Sequence, residues 1–267
     1  MLAKLLGAQE GVESYHEYMV NIVQPLGVKR YMGLVNDVEC RRVLAETHAA
    51  AAYYAKSAIW SDASNKLSWL IPPLARVMPG VKFVHLVRDG RKAAGSYLRK
   101  LGDECYGDRE TAILQAHFDD PRLNPAPPPE KPYWWPLPAQ SDPRASYFRD
   151  YTQFERIAWH WAEINRVILR DLEALGPGRS IRVRLEDLRA NANEVKRLFA
   201  FTDLPYTDEA HAMLARPHNV NRPEDAMLTP EQDAAFRALA WDVMDTLGYA
   251  DDPEYAVDYG PRALNGR

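Results

Sequence analysis

The stretch Lys82 to Lys100, KFVHLVRDGRKAAGSYLRK, constrains the fold more than any other part of the chain. Phe83, Val84, Leu86 and Val87 make a short apolar run of the kind found in strands buried on both faces. The run passes without a break into a helical pattern that carries Ser96. A strand that feeds straight into a helix is the repeating unit of a parallel sheet. The switch itself reads Arg88-Asp89-Gly90-Arg91. A helix N-terminus offers free backbone N–H groups and positive partial charge, an arginine offers a planar fork for oxyanions, and Ser96 adds a hydroxyl on the same side. The segment therefore reads as an anion site at the carboxyl end of a strand. The plain alternative is a solvated Arg88–Asp89 ion pair beside a surface serine.

Similar switches recur along the chain. Helical patterns at about 1 to 9, 38 to 57, 67 to 78, 90 to 101, 147 to 175, 192 to 201 and 230 to 247 alternate with strand-like runs at about 58 to 62, 82 to 87 and 180 to 185. The alternation predicts an α/β fold with a parallel sheet flanked by helices, and no internal repeat interrupts it. Residues just after each strand are then the ones to inspect, because ligands of such sheets gather beyond the strands' carboxyl ends. We expect one domain over residues 1–267, with a Pro/Trp-rich insertion at about 121–143. The prolines there exclude a regular helix and favour extended backbone. Trp134 and Trp135 either pin this loop to the body of the domain or belong to a substrate lid.

Composition narrows the functional classes. At 267 residues and 46% hydrophobic the chain can bury one sizeable core. A net charge of -4 and a pI near 6.0 argue against a general polyanion binder, so no nucleic-acid partner is expected and a nucleotide would need a local Lys/Arg cluster. Cys40 and Cys105 form no CxxC pair, which points to a reducing compartment and a cytoplasmic location. Histidines 48, 85, 117, 160, 211 and 218 show no ligand spacing, so no metal is expected. No run of about 18 apolar residues suggests a membrane span. In the amphipathic pattern Phe154, Ile157, Trp161, Ile164, Ile168, Trp161 is expected in the core and His160 in solvent.

VRDGRKAAGS resembles the 3'-phosphate-binding segment of sulfotransferases that use 3'-phosphoadenosine-5'-phosphosulfate (PAPS), in which a strand-end Arg and a Ser eight residues later hold that phosphate. The likeness is to the tyrosylprotein and bacterial sulfotransferase branch. It extends over LLGAQEGVESYHE, SNKLSWLIPPLARVMPGVKFVHLVRDGR and IRVRLEDLRANANEVKRLFAFTDLPYTDEA, and thins between residues 101 and 145. The resemblance implies a P-loop NTPase-like three-layer fold with a central parallel sheet. It also implies a first strand and a Gly-, Ser- and Thr-rich loop ahead of the helix matched by Leu2 to Ala8. No such segment precedes Met1 and no GxxxxGK[ST] occurs elsewhere. The expectation is therefore that the first strand is missing, a misplaced start being preferred to a deliberately shortened chain and to natural degeneration, and that the chain as it stands holds the 5'-phosphosulfate poorly.

The same resemblance assigns roles. Glu17 would deprotonate the acceptor hydroxyl, with the adjacent His16 as alternative. Burial beside aromatics such as Tyr15 and Tyr18 is what would raise a carboxyl toward working pH. Lys66 would contact the bridging oxygen between sulfonyl and phosphate, where a cation offsets charge building on the leaving group. Arg88 and Ser96 would hold the 3'-phosphate, Lys100 and Arg99 would add charge, and Asn219 and Arg222 would donate from the closing loop Ala215 to Leu228. Leu185 stands where related enzymes carry a tyrosine near the base, and Glu186 and Asp187 suit the start of a helix. PAPS would be the co-substrate, and the acceptor a small-molecule, carbohydrate or peptide hydroxyl. Alternatives are a catalytically degenerate nucleotide-binding protein and a P-loop kinase relative using ATP.

Overall fold

The computed structural model describes residues 1–215 and 227–253. After a short helix α1 (Leu2–Gly7), strand β1 (Val12–His16) pairs in parallel with β2 (Ile59–Ala63), Val12 opposite Ile59 and His16 opposite Ala63. Helices α2 (Val20–Tyr31), α3 (Asp37–Leu44) and α4 (Ala50–Tyr54) make the crossover, with a π-helical stretch Ala45–Ala49 joining the last two. A 3₁₀ segment Asn65–Leu70 and α5 (Ile71–Val77) lead to β3 (Phe83–Val87). β3 pairs in parallel with β4 (Ser180–Arg184), Phe83 opposite Ser180 and Val87 opposite Arg184. Between them run α6 (Gly90–Leu101), α7 (Asp108–Asp119) and α8 (Gln153–Glu173). After β4 come α9 (Leu185–Ala190), α10 (Ala192–Phe201), α11 (Asp208–Ala215) and α12 (Pro230–Thr246). The chain is thus α/β, with two small parallel sheets among helices.

The three strands expected at about 58, 82 and 180 are β2, β3 and β4. The helical pattern from 147 starts later than its periodicity implies. Thr152 caps α8 through a reciprocal capping box with Glu155, and residues 148–150 form a separate 3₁₀ turn. α2 escapes a periodicity reading because Val23 to Val28 are buried one after another and include Pro25. Gly27 in that run is closely packed: a Cβ there would lie 3.2 Å from both the Lys66 carbonyl oxygen and Trp69 Cβ, so the neighbours would have to give way by a few tenths of an ångström.

α8 is the axis of the largest core. It is 21 residues long and so about 30 Å from end to end. Phe154, Ile157, Ala158 and Trp159 pack with Phe236, Ala240 and Met244 of α12, Ala93 and Ala94 of α6, and Trp134, Trp135 and Leu137 of the proline-rich segment. Gly90 opens α6 because a Cβ there would meet Phe236 Cζ at 2.5 Å and the Trp161 ring at 2.8 Å. Covered on several sides, α8 buries neighbouring residues regardless of amphipathic phase. Trp161 is in the core as expected, but His160, expected in solvent, is 3% exposed and sits among Trp69, Tyr106 and Trp135. Burial, helped by the nearby Lys66, pushes its imidazole down to about 3, so it is neutral. A second core joins α1 to both sheets through Leu5 and Leu6, with Val12, Ile59, Val84 and Ile181 against it. No helix among the described residues is long and apolar enough to cross a membrane.

Candidate functional site

The strands deliver one charged residue each. β1 ends at His16 and is followed by Glu17, β2 ends at Ala63 shortly before Lys66, and β3 ends at Val87 before Arg88. Glu17 has φ 55 and Met19 φ 50, both in the left-handed region where a side chain costs about 1 kcal/mol or more. The turn so formed aims Glu17 inward while His16 stays exposed. Glu17 Oε2 forms an ion pair with Lys131, and no other hydrogen-bond partner engages its carboxylate among the described residues.

Lys66 is 5% exposed. Its backbone N–H donates to Ser64 Oγ at 3.2 Å, which caps the 3₁₀ segment and fixes the direction of the side chain. The ammonium lies 3.8 Å from the centre of the Trp135 ring, a cation–π contact made in a dry setting. Burial pushes it down to about 8, Glu17 pulls it back up, and Lys131 opposes. Cys105 also faces this lysine; burial drives its thiol up to about 12, so it is inert. Both cysteines are free and buried.

The proline-rich segment supplies two of these contacts, Lys131 and Trp135. It is pinned rather than loose. Trp134 Nε1 donates to the Pro128 carbonyl at 2.6 Å, Trp135 Nε1 to the Glu104 carbonyl at 2.7 Å and Tyr106 Oη to the Pro136 carbonyl at 2.6 Å. The buried Gln24 of α2 donates to the Trp134 carbonyl at 2.7 Å. Of the two readings for its tryptophans, anchoring to the body of the domain is the one observed, since Trp134 is 1% and Trp135 5% exposed.

At β3 the solvated Arg88–Asp89 pair does not form. Asp89 caps α6 by accepting the Arg91 N–H and binds the Arg91 guanidinium at 2.6 Å, both side chains buried. Arg88 is left with no hydrogen bond or ion pair among the described residues. Burial lowers its pKa, Tyr97 and Glu186 oppose, and Arg189 reinforces. Ser96, on the same helix, is buried rather than a surface residue. Lys100 is exposed, and its pKa is lowered by partial burial and then by Arg88 and Arg99. Three cations therefore press on one another with no carboxylate among the influences on Lys100. Glu186 accepts the Asp89 N–H at 3.2 Å and the Tyr249 hydroxyl at 2.8 Å, a structural part in keeping with its place at the start of α9.

Tyr97 lies between these two clusters. Its hydroxyl accepts from Asn65 Nδ2 at 2.9 Å, next to Lys66, and its pKa is raised by burial while it feels both Arg88 and Glu17. The structure thus brings Glu17, Lys66 and Arg88 to one region, with Ser96 and Lys100 on the helix after Arg88. Asn219 and Arg222 lie outside the described residues. Sequence reasoning missed Lys131 and Tyr97, and it singled out Trp135 as a loop anchor or lid residue without placing it against Lys66. Of the two missed, only Tyr97 carried a signal, as the neighbour of Ser96 on α6. Among the described residues no group of three or more His, Cys, Asp or Glu side chains is placed to hold a metal ion.

No family model matches the sequence, and no curated protein sequence matches it. Among solved structures, the chain is similar to the sulfotransferase domain from the curacin biosynthetic pathway, with 13% sequence identity and a TM-score of 0.37, over 82% of this chain and 64% of that one.

Proposed function

We propose that this protein is a sulfotransferase that moves the sulfonyl group of PAPS to an acceptor hydroxyl. The observation that carries the reading is that Glu17, Lys66 and Arg88, which follow the ends of β1, β2 and β3, lie within electrostatic reach of one another directly or through Tyr97, each residue matching a position the sequence resemblance singles out. In this reading the acceptor oxygen attacks sulfur as the bond from sulfur to the 5'-phosphate oxygen breaks. The acceptor proton passes to the Glu17 carboxylate, whose Oε1 accepts no hydrogen bond among the described residues, and adenosine 3',5'-bisphosphate leaves. Lys66 faces the leaving oxygen, where charge grows in the transition state. Its dry surroundings make one ammonium worth more there than in water, and an anion alongside would draw its pKa back up.

Arg88 supports the nucleotide half of the reading. A guanidinium with no hydrogen-bond or ion-pair partner among the described residues, a buried serine hydroxyl and two further cations are the donors a phosphate dianion needs. Leu185 offers the adenine an apolar contact and no hydrogen bond. A P-loop-like three-layer sheet belongs to the same proposal. The test is transfer of ³⁵S from labelled PAPS to a panel of phenols, sugars and tyrosine peptides by the native chain and Glu17→Gln. Slow transfer to one class by the native chain, in keeping with a poorly held 5'-phosphosulfate, and at least 100-fold slower transfer by Glu17→Gln, is the expected result. Equal transfer by both chains would remove Glu17 from the mechanism, and tighter binding of ATP than of adenosine 3',5'-bisphosphate would favour a kinase relative.

A further inference from the structure

We propose that Asp62, steadied by His48, is a positioning residue that holds the Glu17 carboxylate in place. The proposal rests on the reading of Glu17 as the base. Glu17 and Met19 both hold left-handed backbone, so something must keep the intervening Tyr18 where it is. Asp62, on β2 beside β1, does so directly: its Oδ1 accepts the Tyr18 N–H at 3.1 Å. Its second oxygen, Oδ2, lies 3.2 Å from His48 Nε2, and each of these side chains is 1% exposed. The other ring nitrogen of His48, Nδ1, meets Thr47 Oγ1 at 3.2 Å. Both oxygens of the carboxylate and both nitrogens of the ring are therefore engaged, and neither side chain can turn without leaving a buried polar atom unpaired.

Three further features agree. The Tyr18 ring stands edge-on to His48 with centroids 5.4 Å apart and edge-on to Trp60 at the same distance. His48 lies in the π-helical stretch, an arrangement that widens a helical turn and is frequent at functional sites. A buried His–Asp pair is a poor way to gain stability compared with apolar side chains of the same volume, so its presence beneath this turn favours an orienting task. Asp62 thus stands to Glu17 as an outer-shell carboxylate stands to a ligand, fixing the orientation of a group it does not itself touch. The charged and titratable groups facing Glu17 itself are Lys131, Lys66 and Tyr97.

Asp62→Ala and Asp62→Asn in the full chain test the proposal, because the amide oxygen of asparagine keeps an acceptor for Tyr18. Two readouts need no turnover: protection of the Tyr18 amide against hydrogen exchange, and the ¹³C signal of the Glu17 carboxyl, assigned with Glu17→Gln. Asp62→Ala should lose the protection and shift the Glu17 signal, and Asp62→Asn should restore both. With PAPS and p-nitrophenol, Asp62→Ala should lower kcat about 100-fold with KM for PAPS unchanged. An unchanged Glu17 signal in Asp62→Ala overturns the positioning role. Undiminished turnover in Glu17→Gln overturns the base reading instead and leaves the two spectroscopic results standing. Should Asp62→Ala fail to fold, His48→Gln carries the same readouts with the same expected direction.

Discussion

Around Lys66 each cation has a contact partner: Glu17 lies against Lys131, and the Trp135 ring lies 3.8 Å from the Lys66 ammonium. Arg88 has no hydrogen-bond or ion-pair partner among the described residues. Asp89, its neighbour in sequence, is taken by Arg91, and Arg88, Arg99 and Lys100 are left to repel one another. A matched and buried cluster has its geometry set before any ligand arrives, which is what a group acting on a transition state requires. An unmatched, partly solvated cluster gains most when an anion neutralises it, which is what a binding subsite requires. On the proposed function, the contrast places chemistry in the Lys66 half and nucleotide affinity in the Arg88 half.

The comparison breaks most readily at Trp135, which both packs the core and carries Lys66. Trp135→Ala should cost about 3 to 5 kcal/mol in urea unfolding; a loss below about 1 kcal/mol would mean that the proline-rich segment is not part of the folded core. Lys66→Met should separate stability from activity. Burial lowers this ammonium from 10.5 to about 8, so the folded chain holds the proton less tightly than the unfolded one. Folding is opposed below about pH 8, by on the order of 3 kcal/mol, and the opposition fades as pH rises toward 10.5. Lys66→Met should therefore be more stable than the native chain at pH 7, with the gain vanishing at high pH, while sulfonyl transfer falls at least 100-fold. A variant less stable at every pH would contradict the buried charge.

Inorganic phosphate sharpens the other side. At about ten times its dissociation constant it should stabilise the native chain by about 1.4 kcal/mol, read as a rise in Tm. That rise should disappear in Arg88→Ala and persist in Lys131→Met; the reverse pattern would exchange the roles of the two clusters. The smallest effect belongs to Lys131→Met itself. The Lys131 side chain is 46% exposed, so losing its ion pair should change stability by less than about 1 kcal/mol.

Much of this was legible in the sequence, and the reason is local. Strands β2, β3 and β4 and helices α6, α10 and α12 carry their own period, and strand ends in a parallel sheet point to Glu17, Lys66 and Arg88 without any knowledge of packing. What the sequence hid depends on contacts between distant segments. Lys131 and Trp135 come from a stretch with no periodicity, and they reach the site because Gln24, on a helix equally hard to read, holds the Trp134 carbonyl. β1 is short and bounded by a turn whose left-handed residues are Glu17 and Met19 rather than glycine, so no turn signal marks it. His160 was misread because helical phase says nothing about a helix covered on several sides.

On the proposed function Arg88 anchors a nucleotide carrying a 3'-phosphate, and calorimetric titration with adenosine 3',5'-bisphosphate tests this directly. The native chain should bind with a micromolar Kd. Arg88→Ala should weaken that binding by about 1.5 to 3 kcal/mol, roughly 10- to 150-fold, as expected for losing a charge-assisted contact to phosphate. Equal affinity in the two chains, or an affinity for ATP that matches or exceeds it, would contradict the account.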